Sequence, residues 1–320
     1  AVIGTGVIGA GWATRCLVRG IDVVAADPGP DAEAKLRASL ENARPAAVEL
    51  YGSATVEPGT LTFVDNIKKA VEDADFIQES APERENLKRR LHAEIDAAAR
   101  PGVIIASSSS GLMPSVIQAD CRHPERVLIG HPFNPVYLLP LCEVVGGEAT
   151  SAENIRRACA FYRSIGMYAL HVRKEIEGYL SDRLQEAMWR EILHLVNDGV
   201  ATTGELDDAI KYGPGLRWAI MGTSMIFHLA GGDAGMRHML HQFGPALKLP
   251  WTRLEAPELS DELIGRLVEG TREQAEGKTV RELEQLRDNC LIDIMRALKK
   301  YDTGAGKVLA GDEARREAGG

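Results

Sequence analysis

The sequence predicts an α/β fold: a Rossmann-type, doubly wound, mainly parallel sheet domain followed by an all-α C-terminal domain. A glycine-rich turn joins the first apolar strand to a helix, strands alternate with helices as far as residue 172, and strands almost disappear after residue 178. Such alternation requires right-handed crossovers and a sheet covered on both faces. We expect a first domain over 1–177, a helical second domain over 178–301 and a C-terminal tail over 302–320.

The composition is that of an ordinary globular protein, with 45% apolar and 26% charged residues. The formal net charge is -9, and no basic cluster offers the positive surface that nucleic acid or an anionic membrane requires. No apolar run approaches the roughly 20 residues that span a bilayer, and no leader precedes the first motif, so a cytoplasmic protein is expected. The five cysteines form no Cys-x-x-Cys pair, which predicts neither a disulfide framework nor a metal site.

The first strand, residues 1–3, runs into a Gly-x-Gly-x-x-Gly turn and a helix that ends near Gly20. In this turn the three glycines permit a tight bend, the approach of a pyrophosphate and close helix packing. A second strand, 21–27, ends in Asp27, 18 residues after Gly9. Asp27 can bind both ribose hydroxyls and would repel a 2'-phosphate, which predicts NAD rather than NADP. The alternative is that Asp27 only caps the next helix.

The following elements continue the alternation. The pattern predicts helices at 31–50, 67–72 and 84–100, a turn-rich connector at 51–59, and strands at 61–64, 75–79 and 103–106. Four serines, 107–110, follow the last of these strands. Doubly wound sheets bind ligands at the carboxyl ends of their strands, so we favour a site role over a merely flexible loop.

His131 precedes Glu143 by twelve residues. An apolar run comes before His131, and another follows Glu143. Prolines in the intervening segment pin a loop between two strand ends, which can aim the imidazole at the carboxylate. Histidine suits proton transfer near neutral pH, and a buried carboxylate would fix its tautomer and stabilise the imidazolium. The alternative is an ordinary structural hydrogen bond or a solvated loop.

The remaining chain predicts a helix at 154–164, a strand at 168–173 and then helices only, beginning with a long amphipathic helix at 179–197. Thr202 and Thr279 each stand three residues before a glutamate, the spacing of a capping box, and Ser260 is a candidate N-cap. Residues 302–320 offer little to bury.

The joint pattern resembles the L-3-hydroxyacyl-CoA dehydrogenase superfamily from residue 1 to about residue 300. The resemblance implies that His131 is the general base, Glu143 orients it, and Ser110, 21 residues earlier, contacts the substrate oxygen. Asp182 stands where the family has an asparagine, which disfavours a plain acyl-CoA substrate. The cofactor contacts that the resemblance implies are Gly4, Gly6, Val7, Ile8, Gly9, Asp27, Ala81, Glu83, Lys88, Ser110 and Asn134.

Longer blocks are similar to the L-carnitine dehydrogenases within that superfamily: 79–84, 131–140, 197–208, 215–218, 230–237 and 243–251. This similarity implies oxidation of the C3 hydroxyl of L-carnitine to 3-dehydrocarnitine with NAD. The superfamily commonly dimerises through its helical domain, and the apolar content of residues 180–196 suits a buried helix, so a homodimer is expected.

Carnitine carries a quaternary ammonium, which aromatic faces or a carboxylate would hold. On the long helix Asp182, Glu186 and Trp189 fall on one face, and Asp182 would supply negative charge near the cation. Two alternatives remain: Trp189 serves only for packing, or Asp182 pairs with an arginine, Arg183 or Arg217. The other substrate candidates are Tyr137 and Trp218 as aromatic faces and Arg217 as the carboxylate partner.

Three other functions stay open. An L-gulonate 3-dehydrogenase has a similar serine loop, but its polyhydroxy anion fits an acid at position 182 less well. The second alternative is a dehydrogenase that acts on a CoA thioester. The third is a lambda-crystallin-like structural role, which is not an enzymatic function. The presence of Ser110, His131, Glu143 and the glycine turn favours an active enzyme.

Overall fold

A computed structural model describes residues 1–52, 57–219, 222–253 and 260–319. The chain forms two compact units: the first is Ala1–Asp182 with Leu291–Arg296 and Val308–Gly320, and the second is Arg183–Cys290 with Ala297–Lys307. Residues 53–56 of the expected connector lie outside the described residues.

One sheet organises the first unit. In the described part of the chain its strands are β1 Val2–Ile3, β2 Val23–Ala26, β3 Leu61–Val64, β4 Phe76–Glu79, β5 Ile104–Ser107, β6 Val127–Pro132, β7 Leu141–Gly146 and β8 Tyr168–Val172. Their order is β3-β2-β1-β4-β5-β6-β7-β8. Pairing is parallel throughout except between β6 and β7, so the expected mainly parallel, doubly wound sheet is confirmed.

Helices cover both faces of this sheet. They are α1 Val7–Val18, α2 Ala32–Tyr51, α3 Ile67–Val71, α4 Glu85–Ala98, α5 Pro114–Ile117 and α6 Ala152–Ser164. Successive strand residues enter different cores: Ile104 and Leu128 belong to one apolar cluster, and Ile105 and Ile129 to the other. This alternation is the period of two that a strand imposes, and it explains why the central strands are apolar throughout.

The antiparallel pair β6–β7 places the two predicted catalytic residues. In its register His131 lies directly opposite Glu143. Residues paired across a sheet point to the same face, so the two side chains are neighbours by construction. The loop that joins the strands therefore needs only to reverse the chain.

Helices make up the rest of the described chain: α7 Ser181–Asn197, α8 Thr203–Lys211, α9 Pro214–Trp218, α10 Thr223–Ala230, α11 Gly235–Phe243, α12 Asp261–Gln274, α13 Val280–Lys300 and α14 Gly304–Gly319. Thr202 and Thr279 form the predicted capping boxes, and the Ser260 hydroxyl accepts a hydrogen bond from the backbone of Leu263. The helix expected from residue 179 begins at Ser181.

The expected C-terminal tail is corrected by α14. Asp312 of this helix is fully buried, and its carboxylate pairs with Arg19 at 2.7 Å and Arg316 at 3.2 Å. Leu309 is buried as well. The segment has few bulky apolar residues and is held largely by charged and polar contacts. A hydrophobicity pattern does not reveal such contacts.

Candidate active site

His131 and Glu143 form the centre of the site. The imidazole Nδ1 lies 3.0 Å from Oε2 of Glu143, and both side chains are buried. A carboxylate only accepts, so Nδ1 carries the hydrogen and Nε2 keeps a lone pair that can take a proton. This is the arrangement that the predicted general base requires.

Glu143 is itself held by the beginning of α7. Its Oε1 accepts from the backbone of Leu180 at 3.1 Å and from the backbone and hydroxyl of Ser181 at 3.0 and 3.1 Å. Burial raises the pKa of Glu143, but the hydrogen bonds from His131 and Ser181 outweigh it, and the pKa is lowered overall. Exposed amides at a helix N-terminus favour an anion. Glu143 therefore stays charged beside the base.

Three more residues surround the imidazole. Oδ2 of Asp182 lies 3.6 Å from Nε2, on the side opposite Glu143. The rings of Phe133 and Tyr179 lie 5.3 and 5.5 Å from the imidazole, centroid to centroid. The hydroxyl of Tyr179 donates to the carbonyl of Leu112 at 2.6 Å, and its ring is fully buried.

Sequence reasoning missed Phe133, Tyr179 and Ser181. Phe133 follows His131 by two residues and could have been included with the loop. Gly178 and Tyr179 both have positive φ angles, and the resulting bend turns Ser181 toward Glu143. A glycine just before an amphipathic helix was the available signal for that bend.

The glycine turn fits a dinucleotide diphosphate. Gly4 has a φ of 87°, and a Cβ on Gly9 would lie 1.9 Å from the carbonyl oxygen of Gly4. Gly6 is the N-cap of α1, so no side chain accepts a hydrogen bond from the first amides of this helix. A Cβ on Gly6 would meet nothing within 4 Å in the described structure. Val7 is exposed and Ile8 half-buried at the same helix end. Uncapped amides beside open space are what a bound phosphate requires.

Asp27 lies at the carboxyl end of β2. Its Oδ2 accepts from the backbone and hydroxyl of Thr5 at 2.7 and 3.1 Å, and its Oδ1 accepts from the backbone of Gly29 at 2.8 Å. These contacts orient the carboxylate, occupy both lone pairs of Oδ2 and leave one lone pair on Oδ1. Its predicted ribose contact is compatible with this geometry and stays a prediction.

Lys88 is buried beside a residue that sequence reasoning missed, Glu79. Its Nζ lies 2.9 and 3.0 Å from the two carboxylate oxygens, which also accept from Ser107 at 2.5 Å and from the backbone of Ala81 at 2.5 Å. Glu83 lies 3.6 Å from the same Nζ. Lys88, Ser107 and the backbone of Ala81 thus converge on Glu79 at the carboxyl edge of the sheet.

Glu83 also closes the serine loop. Its Oε1 accepts from the hydroxyl of Ser109 and from the backbone of Gly111 at 3.0 Å. Burial raises the pKa of Glu83, but these hydrogen bonds outweigh it, and the pKa is lowered overall. The predicted Ser110 is exposed beside them, Asn134 is exposed, and Tyr137 is buried. The roles predicted for these three residues stay predictions.

The other substrate candidates belong to the second unit. Trp189 lies on α7 and is half-exposed, while Arg217 and Trp218 end α9 and are exposed. On α7, Asp182, Glu186 and Trp189 share one helix face, as their spacing predicts. Their contacts with substrate stay predictions.

Comparison with protein families decides what this site serves. The model of the 3-hydroxyacyl-CoA dehydrogenase NAD-binding domain matches residues 1–176, and that of the C-terminal domain of the same enzymes matches residues 178–268. The chain belongs to the 3-hydroxyacyl-CoA dehydrogenase family. It is an NAD-dependent dehydrogenase that oxidises a hydroxyl group.

Similar family members are the L-carnitine dehydrogenases of Pseudomonas aeruginosa, 60% identical over 97% of both chains, and of Bacillus cereus, 58% identical over 95% of this chain and 93% of that protein. The structure of an NAD-dependent 5-formyl-3-hydroxy-2-methylpyridine 4-carboxylic acid 5-dehydrogenase superposes with a TM-score of 0.78. The two chains are 27% identical, and the match covers 93% of this chain and 97% of that one. Within the described residues, no helix is both long and apolar enough to cross a bilayer.

Proposed function

We propose that the protein oxidises the C3 hydroxyl of L-carnitine to 3-dehydrocarnitine, with NAD as the oxidant. The resemblance to L-carnitine dehydrogenases over nearly the whole chain supports this substrate. The observation that carries the proposal within the site is the Asp182 carboxylate, 3.6 Å from the imidazole nitrogen that faces away from Glu143. A cytoplasmic location and a homodimer stay predictions.

The side chains divide the work of the reaction. His131 Nε2 removes the hydroxyl proton, and Glu143 stabilises the imidazolium that results. Ser110 hydrogen-bonds the developing carbonyl oxygen. The glycine turn and Asp27 would hold NAD, which would supply the acceptor for the hydride of C3. The protein contributes orientation and the base, with Glu143 held in place by Ser181 and the first backbone amides of α7.

Asp182 suits a cation one carbon away from the reacting alcohol. In carnitine the ammonium nitrogen is three bonds from the hydroxyl oxygen, a separation of about 3–4 Å at ordinary bond lengths. A hydroxyl that is hydrogen-bonded to His131 Nε2 therefore brings the trimethylammonium into the range of Asp182. An acyl-CoA places an alkyl carbon there, and burying a carboxylate against apolar atoms is costly.

The test offers L-carnitine, L-gulonate, L-3-hydroxybutyryl-CoA and the carnitine isostere 3-hydroxy-5,5-dimethylhexanoate, in which a carbon replaces the ammonium nitrogen, separately with NAD, and follows NADH formation. We expect a clear preference for L-carnitine. Asp182→Asn should raise KM for L-carnitine about 10-fold, equal to about 1.4 kcal/mol. The KM for the isostere should not rise, because that molecule lacks the positive charge and places an alkyl carbon beside position 182.

Glu153→Gln is the matched control, since it removes one negative charge from an exposed position on α6. It should leave both KM values unchanged. A wild-type enzyme that prefers L-gulonate or the CoA ester would exclude the proposed substrate. An equal rise of both KM values in Asp182→Asn would show that Asp182 does not read the cation.

A further inference from the structure

In the first unit a chain of hydrogen-bonded polar groups runs from the buried Tyr162 and Gln78 to the half-buried Ser108 and Ser80. Gln78 on β4 donates through Nε2 to the carbonyl of Gly130 at 3.2 Å and to the hydroxyl of Ser108 at 2.8 Å. A carbonyl only accepts, so the amide nitrogen faces Gly130 and the amide oxygen faces Tyr162. The Tyr162 hydroxyl, fully buried, then donates to Gln78 Oε1 at 2.7 Å.

This orientation fixes the direction of the next hydrogen bond. The Ser108 oxygen receives Gln78 Nε2 and, at 3.0 Å, the indole Nε1 of Trp12, which can only donate. A serine oxygen has two lone pairs, and both are used. The hydrogen of Ser108 is therefore directed to the hydroxyl oxygen of Ser80, 2.9 Å away.

Ser80 ends the chain of hydrogen bonds. It accepts from Ser108, and no described residue accepts the hydrogen of its own hydroxyl. Ser80 is half-buried and immediately follows β4. Its backbone packs against the glycine turn so closely that a Cβ on Gly4 would lie 2.7 Å from the Ser80 carbonyl carbon. Each donor along the chain polarises the following hydroxyl and strengthens it as a donor.

The position of Ser80 identifies its acceptor. β1 lies between β2 and β4, where the strand order reverses, and dinucleotides bind at this point of doubly wound sheets. We propose that Ser80 is a cofactor-binding donor, oriented by Trp12, Gln78 and Ser108, whose hydroxyl hydrogen-bonds an oxygen of the nicotinamide-side phosphate or of the ribose that it carries. Because Gln78 also holds the carbonyl of Gly130, the same chain of contacts connects this donor to the strand that carries His131.

Ligand fragments without substrate give the test. NADH and ADP-ribose contain the diphosphate and both riboses, whereas AMP contains only the adenosine side. Titration of the protein with each by calorimetry should show that Ser80→Ala weakens NADH and ADP-ribose about 10-fold and leaves AMP within twofold, since a hydrogen bond to a charged or polarised acceptor has that value. Ser80→Thr, which keeps a hydroxyl, should restore most of the affinity.

Trp12→Phe tests the orientation itself. It keeps an aromatic ring in the core but removes the donor that fills one lone pair of Ser108. NADH affinity should fall two- to threefold in the wild-type background and not at all in Ser80→Ala. Ser164→Ala, on the exposed end of α6, is the matched control and should change neither affinity nor Tm. Unchanged NADH affinity in Ser80→Ala, or an equal loss for AMP, would overturn the proposal. If Ser80→Ala does not fold, an unchanged affinity in Trp12→Phe would overturn it.

Discussion

The described part of the first unit contains two buried glutamates that each face a histidine, and only the pair at His131 has the arrangement that the proposed base requires. Glu143 Oε2 lies 3.0 Å from His131 Nδ1, while Glu79 Oε2 lies 3.6 Å from His92 Nε2. Both glutamates are fully buried and both lie on strands. The residue types are the same, so the difference must come from what else each carboxylate and each imidazole contacts.

In the Glu79 pair the positive charge beside the carboxylate belongs to Lys88 and not to the imidazole. Lys88 contacts both carboxylate oxygens, and His92 Nδ1 donates to the backbone carbonyl of Lys88 at 2.8 Å. His92 is completely buried, and this burial lowers its pKa. Its Nε2 has no hydrogen-bond partner among the described residues. The result is a neutral imidazole beside the Glu79–Lys88 ion pair.

In the Glu143 pair the imidazole keeps one nitrogen for the reaction. Backbone and hydroxyl donors hold Oε1, His131 Nδ1 occupies Oε2, and Nε2 faces Asp182. A carboxylate beside a histidine is therefore weak evidence for catalysis unless the surroundings of the second imidazole nitrogen are also known. The comparison predicts that a substitution of His131 lowers turnover strongly and that a substitution of His92 does not.

The largest contrast is expected in turnover. His131→Ala should lower kcat about 10⁴-fold, because a general base contributes that much at the upper end. His92→Asn should leave kcat within threefold. NADH affinity should stay within twofold in His131→Ala, since the base does not hold the cofactor. Steady-state kinetics and NADH titration measure both quantities, and turnover that survives in His131→Ala would remove it as the base.

A smaller contrast separates a buried ion pair from an exposed one. Lys88→Met leaves the Glu79 charge without its cation inside the protein and should lower the free energy of unfolding by about 3–5 kcal/mol. Lys69→Met is the control, because Lys69 and Asp65 form an exposed pair one helix turn apart, and it should produce no measurable change. Denaturant unfolding decides it: equal stabilities of the two variants would show that the Glu79 cluster is dispensable.

The sequence predicted those parts of the site that depend on local pattern. The Gly4, Gly6 and Gly9 turn follows from its strand and helix context. His131 and Glu143 could be paired because an apolar run precedes one and follows the other, and a reversal of the chain between them sets the register. In each case neighbouring residues carry enough information to place the side chain.

Other parts depend on contacts between distant segments. Glu79 looks like an ordinary strand end until Lys88, Ser107 and Ala81 meet around it. Asp312 looks solvated, because nothing near it in sequence shows that Arg19, 293 positions away, will bury it. A hydropathy pattern assigns charged residues to the surface, so it cannot anticipate buried polar networks.

The smallest contrast concerns the effect of pH on stability. In the unfolded chain His92 titrates near its ordinary value of 6.5, and burial lowers its pKa in the folded protein. Below pH 6.5 the unfolded state therefore binds more protons. The contribution of His92 is fully present above pH 6.5 and is lost as the pH falls toward the folded pKa, by at most about 1.4 kcal/mol per pH unit.

The two clusters should separate along the pH scale. The pKa of Glu143 is lowered from 4.5, so its contribution is lost only below pH 4.5. The free energy of unfolding, measured from pH 8 to pH 3, should fall less steeply between pH 6.5 and 4.5 in His92→Asn than in the wild type. In Glu143→Gln it should fall less steeply below pH 4.5. If His92→Asn kept the whole decline between 6.5 and 4.5, His92 would be protonated in the folded protein, and the neutral state assigned to it would be wrong.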